Sequence, residues 1–169
     1  LRLSVEIEQT AVRTLESNAT QGHVVLQADL TEVQGKTLLK AAGLKSTDEV
    51  IIVGGAPCQP FSKASNWVDE GLDHQWRKQR AQGVAGDRPP PPKVRPDERR
   101  TLVDDFSRLV AETDADGFVF ENVAALLSKR NKPVLDKMRQ ELEAIGFNTC
   151  VVKHFASEFG VAQHRERVF

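Results

Sequence analysis

The sequence has 169 residues, of which 40% are hydrophobic; this is enough for one buried core and too little for a second complete domain. Its 23 Lys and Arg nearly balance its 24 Asp and Glu, so the net charge of -1 gives no global attraction to nucleic acid. The two distant cysteines, Cys58 and Cys150, exclude a disulfide framework, and no Cys/His cluster has the spacing of metal ligands.

Strands and helices alternate along the chain, as short apolar runs and helical spacings predict. The predicted strands are at 3–7, 23–28, 50–53, 118–120, 150–155 and 167–169. The predicted helices are at 8–19, 37–42 and 133–145, with a further helix that begins at Asp97. The β-branched run from Val50 to Val53 is typical of a strand covered on both faces. In the last helix, Leu135, Met138, Leu142 and Ile145 are predicted to point inward. This order favours an α/β fold with a mostly parallel, doubly wound sheet.

The segment 66–96 interrupts the alternation, because it has few aliphatic residues and four consecutive prolines at 89–92. We predict a flexible, basic and proline-rich insertion. Two interpretations of its charge stay open: contact with phosphates, with Trp67 or Trp76 packing against DNA, or a solvated, disordered segment. The Lys and Arg residues from 77 to 100 are Arg77, Lys78, Arg80, Arg88, Lys93, Arg95, Arg99 and Arg100.

Ligands of parallel sheets bind beyond the carboxyl ends of the strands, so the turn after the strand at 50–53 is the first place to look for chemistry. This turn reads Gly54-Gly55-Ala56-Pro57-Cys58-Gln59-Pro60-Phe61-Ser62. Pro57 stiffens the backbone beneath the thiol of Cys58. A Pro-Cys pair alone is more often a Pro/Gly turn with an incidental cysteine.

The longer string resembles the Pro-Cys-Gln motif of cytosine carbon-5 methyltransferases, and three further motifs of that family follow in the right order. They are Asp97-x-Arg99-x-x-Leu102, Glu121-Asn122-Val123 and Gln163-x-Arg165-x-Arg167. The resemblance implies a Rossmann-like methyltransferase fold that uses S-adenosylmethionine, and it implies double-stranded DNA as the substrate.

The resemblance also implies roles in the base pocket. Cys58 is the nucleophile that adds to carbon 6 of a flipped cytosine, since a thiolate does this well. Glu121 contacts ring nitrogen 3 and the exocyclic amine, and it works best protonated. Arg167 binds the exocyclic oxygen and Arg165 holds the pocket together, and either one raises the thiolate share of the cysteine. Residues placed against the substrate or the loop beside it are Gln59, Ser62, Asn122 and Gln163.

Cofactor contacts follow from the same resemblance. Glu6 with Ile7 corresponds to the ribose-binding segment, and Asp29 with Leu30 to the pair that contacts adenine. Further cofactor contacts are Pro57 and Leu102. Taken singly, an acidic residue at a strand end is more often a helix cap or a solvated charge.

The family's first strand, with its Phe-x-Gly-x-Gly turn, and its target-recognition region are both missing from these residues. We therefore expect residues 1–169 to be a partial catalytic domain, inactive alone and completed by missing segments or by a second polypeptide. We expect a soluble, cytoplasmic protein, near the nucleoid if prokaryotic, because no membrane span or signal peptide is evident. Two alternatives are a tRNA cytosine methyltransferase of the same family and a non-catalytic domain that binds nucleic acid or a partner.

Overall fold

A computed structural model of the chain describes residues 1–45, 47–61, 67–68, 72–89, 93–94 and 97–169. Among these residues, no helix has the length and apolar character needed to cross a membrane. The strands and longer helices are, in chain order, β1 (Leu3–Glu6), α1 (Gln9–Ser17), β2 (Val24–Gln27), α2 (Gly35–Ala41), β3 (Ile51–Gly54), β4 (Trp67–Val68), α3 (Leu72–Ala81), β5 (Lys93–Val94), α4 (Leu102–Glu112), β6 (Gly117–Phe120), β7 (Asn122–Val123), α5 (Lys132–Ala144), β8 (Lys153–Phe155) and β9 (Glu166–Val168).

The described structure contains two parallel strand pairs. β1 pairs with β2, and Glu6 lies opposite Gln27, so both strands end at the same edge. β3 pairs with β6, and Gly54 lies opposite Phe120. Parallel neighbours joined through helices are the α/β arrangement that the sequence predicts. The two pairs are not hydrogen-bonded to each other within the described residues.

One face of the β3–β6 pair is covered by α4 and α5, and this face holds the core. The ring of Phe106, on α4, meets the rings of Phe118 and Phe120 edge to face at centroid distances of 6.1 and 5.0 Å. Each buried aromatic or aliphatic side chain of this kind stabilises the fold by roughly 1.5–3 kcal/mol. The buried cluster consists of Phe61, Val103, Phe106, Val110, Phe120, Leu126, Leu135, Met138, Leu142 and Val168.

The other face of the same pair is open, which corrects the prediction that residues 50–53 are covered on both sides. Ile51 and Val53 are 67% and 70% exposed, and Val119, opposite Val53 in register, is 42% exposed. Side chains alternate along a strand, and the described helices α4 and α5 both pack on the face of Ile52 and Phe118. The apolar run therefore marks a strand with one buried face among the described residues.

The inward position predicted for Ile145 is also wrong. Leu135, Met138 and Leu142 are buried as the helical spacing predicts, but Ile145 is 52% exposed. The reason is that α5 ends at Ala144, and Ile145 is its C-cap with φ -100° and ψ 12°. A residue outside the helix no longer continues its apolar stripe.

The strands that follow β6 form a small antiparallel sheet in the order β7-β9-β8. In this sheet Val123 lies opposite Arg167, and Arg167 lies opposite His154. The pairing brings a residue near the end of the chain beside the segment that follows β6. It is this long-range contact that completes the candidate site.

The predicted insertion contains regular structure where it is described. β4 pairs with β5 in antiparallel fashion, and α3 lies between them in the chain. The indole N–H of Trp76 donates to the carbonyl of Gly86 at 3.0 Å, and the guanidinium groups of Arg80 and Arg88 each lie 5.6 Å from the ring centroid. No residue of α3 is buried. The sequence did not predict this helix, since it has no apolar face to detect.

Helix α4 connects the N-terminal pair to the core. The guanidinium of Arg108 donates to the carbonyl oxygens of Leu30 and Val33 at 2.6 and 2.9 Å. One turn further along, the Glu112 carboxylate accepts the backbone N–H of Gly35 at 2.7 Å. The segment after β2 is thus fixed to α4 at three backbone groups.

Candidate active site

The turn after β3 presents the thiol of Cys58 at the surface. Cys58 is exposed, and the two residues that follow Gln59, namely Pro60 and Phe61, are buried. The chain turns through a short 3₁₀ helix at Gln59–Phe61, in which the Phe61 N–H donates to the Cys58 carbonyl at 3.0 Å. Buried Phe61, only 2% exposed, anchors the turn in the core and leaves the sulfur accessible.

Glycine is required at position 55 because the turn lies directly on the backbone of Glu121. A Cβ atom added to Gly55 would stand 2.4 Å from the carbonyl oxygen of Glu121, closer than any real contact of that kind. The Glu121 N–H in turn donates to the Gly54 carbonyl at 2.8 Å. Close approach of two backbones is one of the few needs that glycine alone satisfies.

Asn122, the second residue of the Glu-Asn-Val motif, also binds the Cys58 turn through its side chain. Its amide nitrogen donates to the Ala56 carbonyl at 3.0 Å, and its amide oxygen accepts the backbone N–H of Val123 at 2.9 Å. The side chain is 1% exposed. The buried amide thus has a structural role in joining the two motifs, in addition to the substrate contact expected from the sequence.

Glu121 and Arg167 form an ion pair at 2.7 Å between Oε1 and Nε. The side chain of Arg167 is 20% exposed and that of Glu121 is 41% exposed, so the pair lies at the edge of the protein. Another guanidinium nitrogen of Arg167 donates to the carbonyl of Glu166 at 2.7 Å. The structure therefore unites three predicted catalytic positions: the Cys58 turn, Glu121 and Arg167.

The other residues of the Gln-x-Arg-x-Arg motif take part through their backbones. Arg165 is exposed; its carbonyl accepts the Ala156 N–H at 2.9 Å, and its N–H donates to Gln163 at 3.0 Å. Within the described part of the chain, the Arg165 and Gln163 side chains form no hydrogen bond or ion pair. Their predicted roles stay predictions. Gln59 is exposed beside the thiol, and Ser62 lies outside the described residues.

The predicted cofactor carboxylates lie at the ends of β1 and β2. Glu6 Oε1 accepts the backbone N–H groups of Ile7 and Glu8 at 2.9 and 3.0 Å, which shapes the turn into α1. Asp29 Oδ1 accepts the backbone N–H and the hydroxyl of Thr31 at 2.9 and 2.8 Å. These bonds, the backbone one first, lower the pKa of Asp29 below its usual value. The residues after two parallel strands are thus brought to one edge.

Apolar residues expected beside the cofactor are at least partly accessible. Ile7 is 60% and Leu30 36% exposed, and Pro57 and Leu102 are half-buried. Within the described residues, no three His, Cys, Asp or Glu side chains cluster as metal ligands.

Several residues that shape the site were not selected from the sequence. Arg100 and Asn131 contact the Cys58 turn, and Arg108 and Glu112 contact the segment after β2. Arg100 ends the basic run that begins at Arg77, and its charge alone predicts a surface position. The only sequence signal for Arg108 is its position on the polar side of an amphipathic helix, which does not reveal its long-range acceptors.

Comparison with known proteins agrees with this geometry. The family model of C-5 cytosine-specific DNA methylases matches residues 1–81 and 93–169, and the gap at 82–92 lies inside the predicted insertion. The chain is 32% identical to the type II methyltransferase M.SacI of Streptomyces achromogenes, over 100% of this chain and 38% of that protein. It is 31% identical to M1.HphI of Haemophilus parahaemolyticus, over 98% and 38%. The chain thus spans well under half the length of these relatives.

Solved structures show the same fold. A DNA modification methyltransferase encoded within an E. coli prophage superposes with a TM-score of 0.68 at 21% identity, over 99% of this chain and 38% of that one. The Entamoeba histolytica methyltransferase EhMeth gives a TM-score of 0.59 at 13% identity, over 98% and 42%. The predicted methyltransferase fold is therefore confirmed, and with the family model matching nearly its whole length the chain belongs to the C-5 cytosine-specific DNA methylases.

Proposed function

We propose that the protein containing this chain transfers a methyl group from S-adenosylmethionine to carbon 5 of a flipped-out cytosine in double-stranded DNA. The observation that carries the proposal is the packing of the exposed Cys58 turn against Glu121, which is itself ion-paired with Arg167. A nucleophile, a carboxylate and a guanidinium thus converge at the ends of β3 and β6. Membership of the cytosine methylase family supports the same chemistry.

The residues present can carry out the steps on the base. The Cys58 thiolate forms a bond to carbon 6, which moves electron density to carbon 5 and makes it nucleophilic. When bound, S-adenosylmethionine supplies an electrophilic methyl group. After carbon 5 has gained the methyl group, a base takes the proton from carbon 5, the double bond between carbons 5 and 6 forms again, and Cys58 leaves carbon 6 as the thiolate. A base stacked in a duplex is out of reach of Cys58, so the cytosine has to be flipped out.

Glu121 and Arg167 are placed to hold the base during the attack. Glu121 Oε1 is engaged by Arg167, whereas Oε2 points toward Gly55, where an added Cβ would meet it at 3.3 Å. We propose that Oε2 faces ring nitrogen 3 and the exocyclic amine, and that a guanidinium N–H of Arg167 binds the exocyclic oxygen. Preorganised polar groups stabilise the charge that develops when the thiolate adds. Protonation of Glu121 in the base-bound state is part of this proposal.

The carboxylates of Glu6 and Asp29 fit the polar groups of the cofactor. Each uses one oxygen to order its own turn, and the other makes no hydrogen bond with the described residues. A carboxylate oxygen is an acceptor for ribose hydroxyls or an adenine amine. We propose Glu6 for the ribose and Asp29 for the adenine, with Ile7, Leu30, Pro57 and Leu102 as the apolar surroundings.

We propose that a further strand lies between β1 and β3 in the complete protein, supplied by the same polypeptide or by a second one. β1 and β3 each have a parallel partner on one side only, and they do not pair with each other within the described residues. Backbone groups at an interior sheet edge need partners, and one added parallel strand would satisfy both edges.

Covalent trapping tests the proposed reaction. The complete protein is incubated with S-adenosylmethionine and duplex DNA that carries 5-fluorocytosine, which cannot lose a proton from carbon 5 after the attack. We expect an adduct that survives denaturing electrophoresis, and none with Cys58→Ala. The same experiment with 5-fluorocytosine RNA distinguishes a tRNA enzyme. A protein that binds DNA without forming an adduct on either nucleic acid would contradict the proposal in favour of a binding domain.

A further inference from the structure

The turn that carries Cys58 is held at three backbone carbonyls, on both sides of the thiol. Asn122 binds the Ala56 carbonyl on the N-terminal side. On the C-terminal side, Arg100 donates to the Pro60 carbonyl at 2.7 Å and Asn131 donates to the Phe61 carbonyl at 3.2 Å. Because Cys58 itself is exposed, its position depends on these backbone contacts.

Arg100 is directed inward, unlike the surface arginines near it in the sequence. Its guanidinium carbon lies 4.9 Å from the centroid of the Phe61 ring, and a second nitrogen donates to the Asn131 amide oxygen at 3.1 Å. Burial lowers the pKa of Arg100 below its usual value, but the usual value is so high that the group stays charged at neutral pH. By contrast, neighbouring Arg99 is exposed and paired with Asp97 at 2.7 Å. The guanidinium of Arg100 therefore makes its contacts within the protein.

Asn131 links the Cys58 turn to the segment that follows Glu121. The side chain is 5% exposed, and its amide nitrogen donates both to the Phe61 carbonyl and to the Ala125 carbonyl, at 3.2 and 3.0 Å. Its amide oxygen accepts from Arg100. Ala125 lies in the 3₁₀ turn Ala124–Leu127, directly after the Glu121-Asn122-Val123 motif. All polar atoms of this buried side chain thus contribute to one junction.

We infer that Arg100 and Asn131 are positioning residues that fix the Cys58 thiol relative to Glu121 and Arg167 for attack on the base. This inference rests on the proposed function. Displacement of a reacting group by about 1 Å can cost on the order of a hundredfold in rate, even when the displaced residue is not itself changed. Loss of either side chain frees one carbonyl of the turn and loosens the contact between the two motifs.

The test uses the complete protein with Arg100→Met, Asn131→Ala, the double variant and Arg100→Lys. Arg139→Met is the matched control, since Arg139 also makes two side-chain hydrogen bonds, to Thr149 and Glu143, and neither partner belongs to the Cys58 turn. The readouts are the rate of adduct formation with 5-fluorocytosine DNA, the affinity for S-adenosylmethionine by calorimetry, and the melting temperature.

We expect both single variants to form the adduct at least about tenfold more slowly, with cofactor affinity unchanged. The double variant should lose little more than the slower single one, because both act through one turn. Arg100→Lys keeps a charged donor and should recover part of the rate. Adduct formation at the wild-type rate in either single variant, or a loss matched by Arg139→Met, would overturn the inference. Absence of any adduct with the wild-type protein would instead overturn the proposed function.

Discussion

Gly55→Ala should damage the thiol site more than its single added carbon suggests. The new Cβ would lie 2.4 Å from the carbonyl oxygen and 3.3 Å from the carbonyl carbon and Oε2 of Glu121. An ordinary contact between carbon and oxygen needs roughly 3.4 Å, so about 1 Å of separation has to be gained between two backbones. Such overpacking costs about 1–3 kcal/mol of stability. A shift of that size at the nucleophile lowers the rate of attack by on the order of a hundredfold.

The assay for Gly55→Ala is single-turnover adduct formation by the complete protein at saturating 5-fluorocytosine DNA and cofactor. Gly117→Ala and Gly86→Ala are matched controls, because an added Cβ meets only Ile51 Cγ1 at 3.9 Å in the first case and nothing within 4 Å in the second. Both controls should react at the wild-type rate. If Gly55→Ala also does so while remaining folded, the close packing of the turn on Glu121 is not what places the thiol.

Three further predictions concern other parts of the chain. Arg108→Met removes the donors to the Leu30 and Val33 carbonyls, so calorimetry should show weaker binding of S-adenosylmethionine. Iodoacetamide should still alkylate Cys58 at the wild-type rate, because the thiol turn stays intact. Hydrogen bonds from the Gly35 N–H, the larger cause, and from Arg108 lower the pKa of Glu112. The ionised carboxylate therefore stabilises the fold at pH values above the usual pKa of a glutamate. This stability is lost as the pH falls through the lowered pKa. Melting temperatures measured downward from neutral pH should therefore fall less steeply for Glu112→Gln than for the wild type; parallel curves would contradict this. Replacing the basic residues of α3 with serine should weaken DNA binding and flatten its salt dependence, and unchanged affinity at low salt would exclude a phosphate role for Arg77, Lys78 and Arg80.

The sequence predicted the type and order of most elements because their signals are local. The apolar stripe of α4 and the strand before the Cys58 turn are each visible in a short window, and both agree with the structure. The four motifs are also visible in short windows, and the roles assigned to their residues stay predictions. The sequence did not predict helix α3, because its visible contacts are those of Trp76 with two arginines and the ion pair of Asp73 with Arg77 at 2.6 Å. Such contacts leave no apolar periodicity.

What the sequence could not predict is which side chains join distant segments. Asn122 and Ala56 are 66 positions apart, and Arg100 and Pro60 are 40 apart. A lone asparagine or arginine gives no indication of such a partner, since the same residues are common at turns and on surfaces. The sequence also could not predict that one face of β3 is covered and the other exposed. Coverage depends on which helices pack there and not on the composition of the strand.

Helix α4 and the turn before it bind both the Cys58 turn and the segment after β2, which gives a physical reason for a fixed distance between these two segments. Arg100, just before its first turn, binds the Cys58 turn, while Arg108 and Glu112, near its end, bind the segment after Asp29. The two parallel strand pairs share no hydrogen bond within the described residues, so this helix carries the described polar contacts from one to the other. In the proposed reaction a methyl group can reach carbon 5 only if donor and nucleophile approach the same base, so we expect the rigidity of α4 to contribute to the catalytic geometry. Its buried face of Val103, Phe106 and Val110 supplies that rigidity.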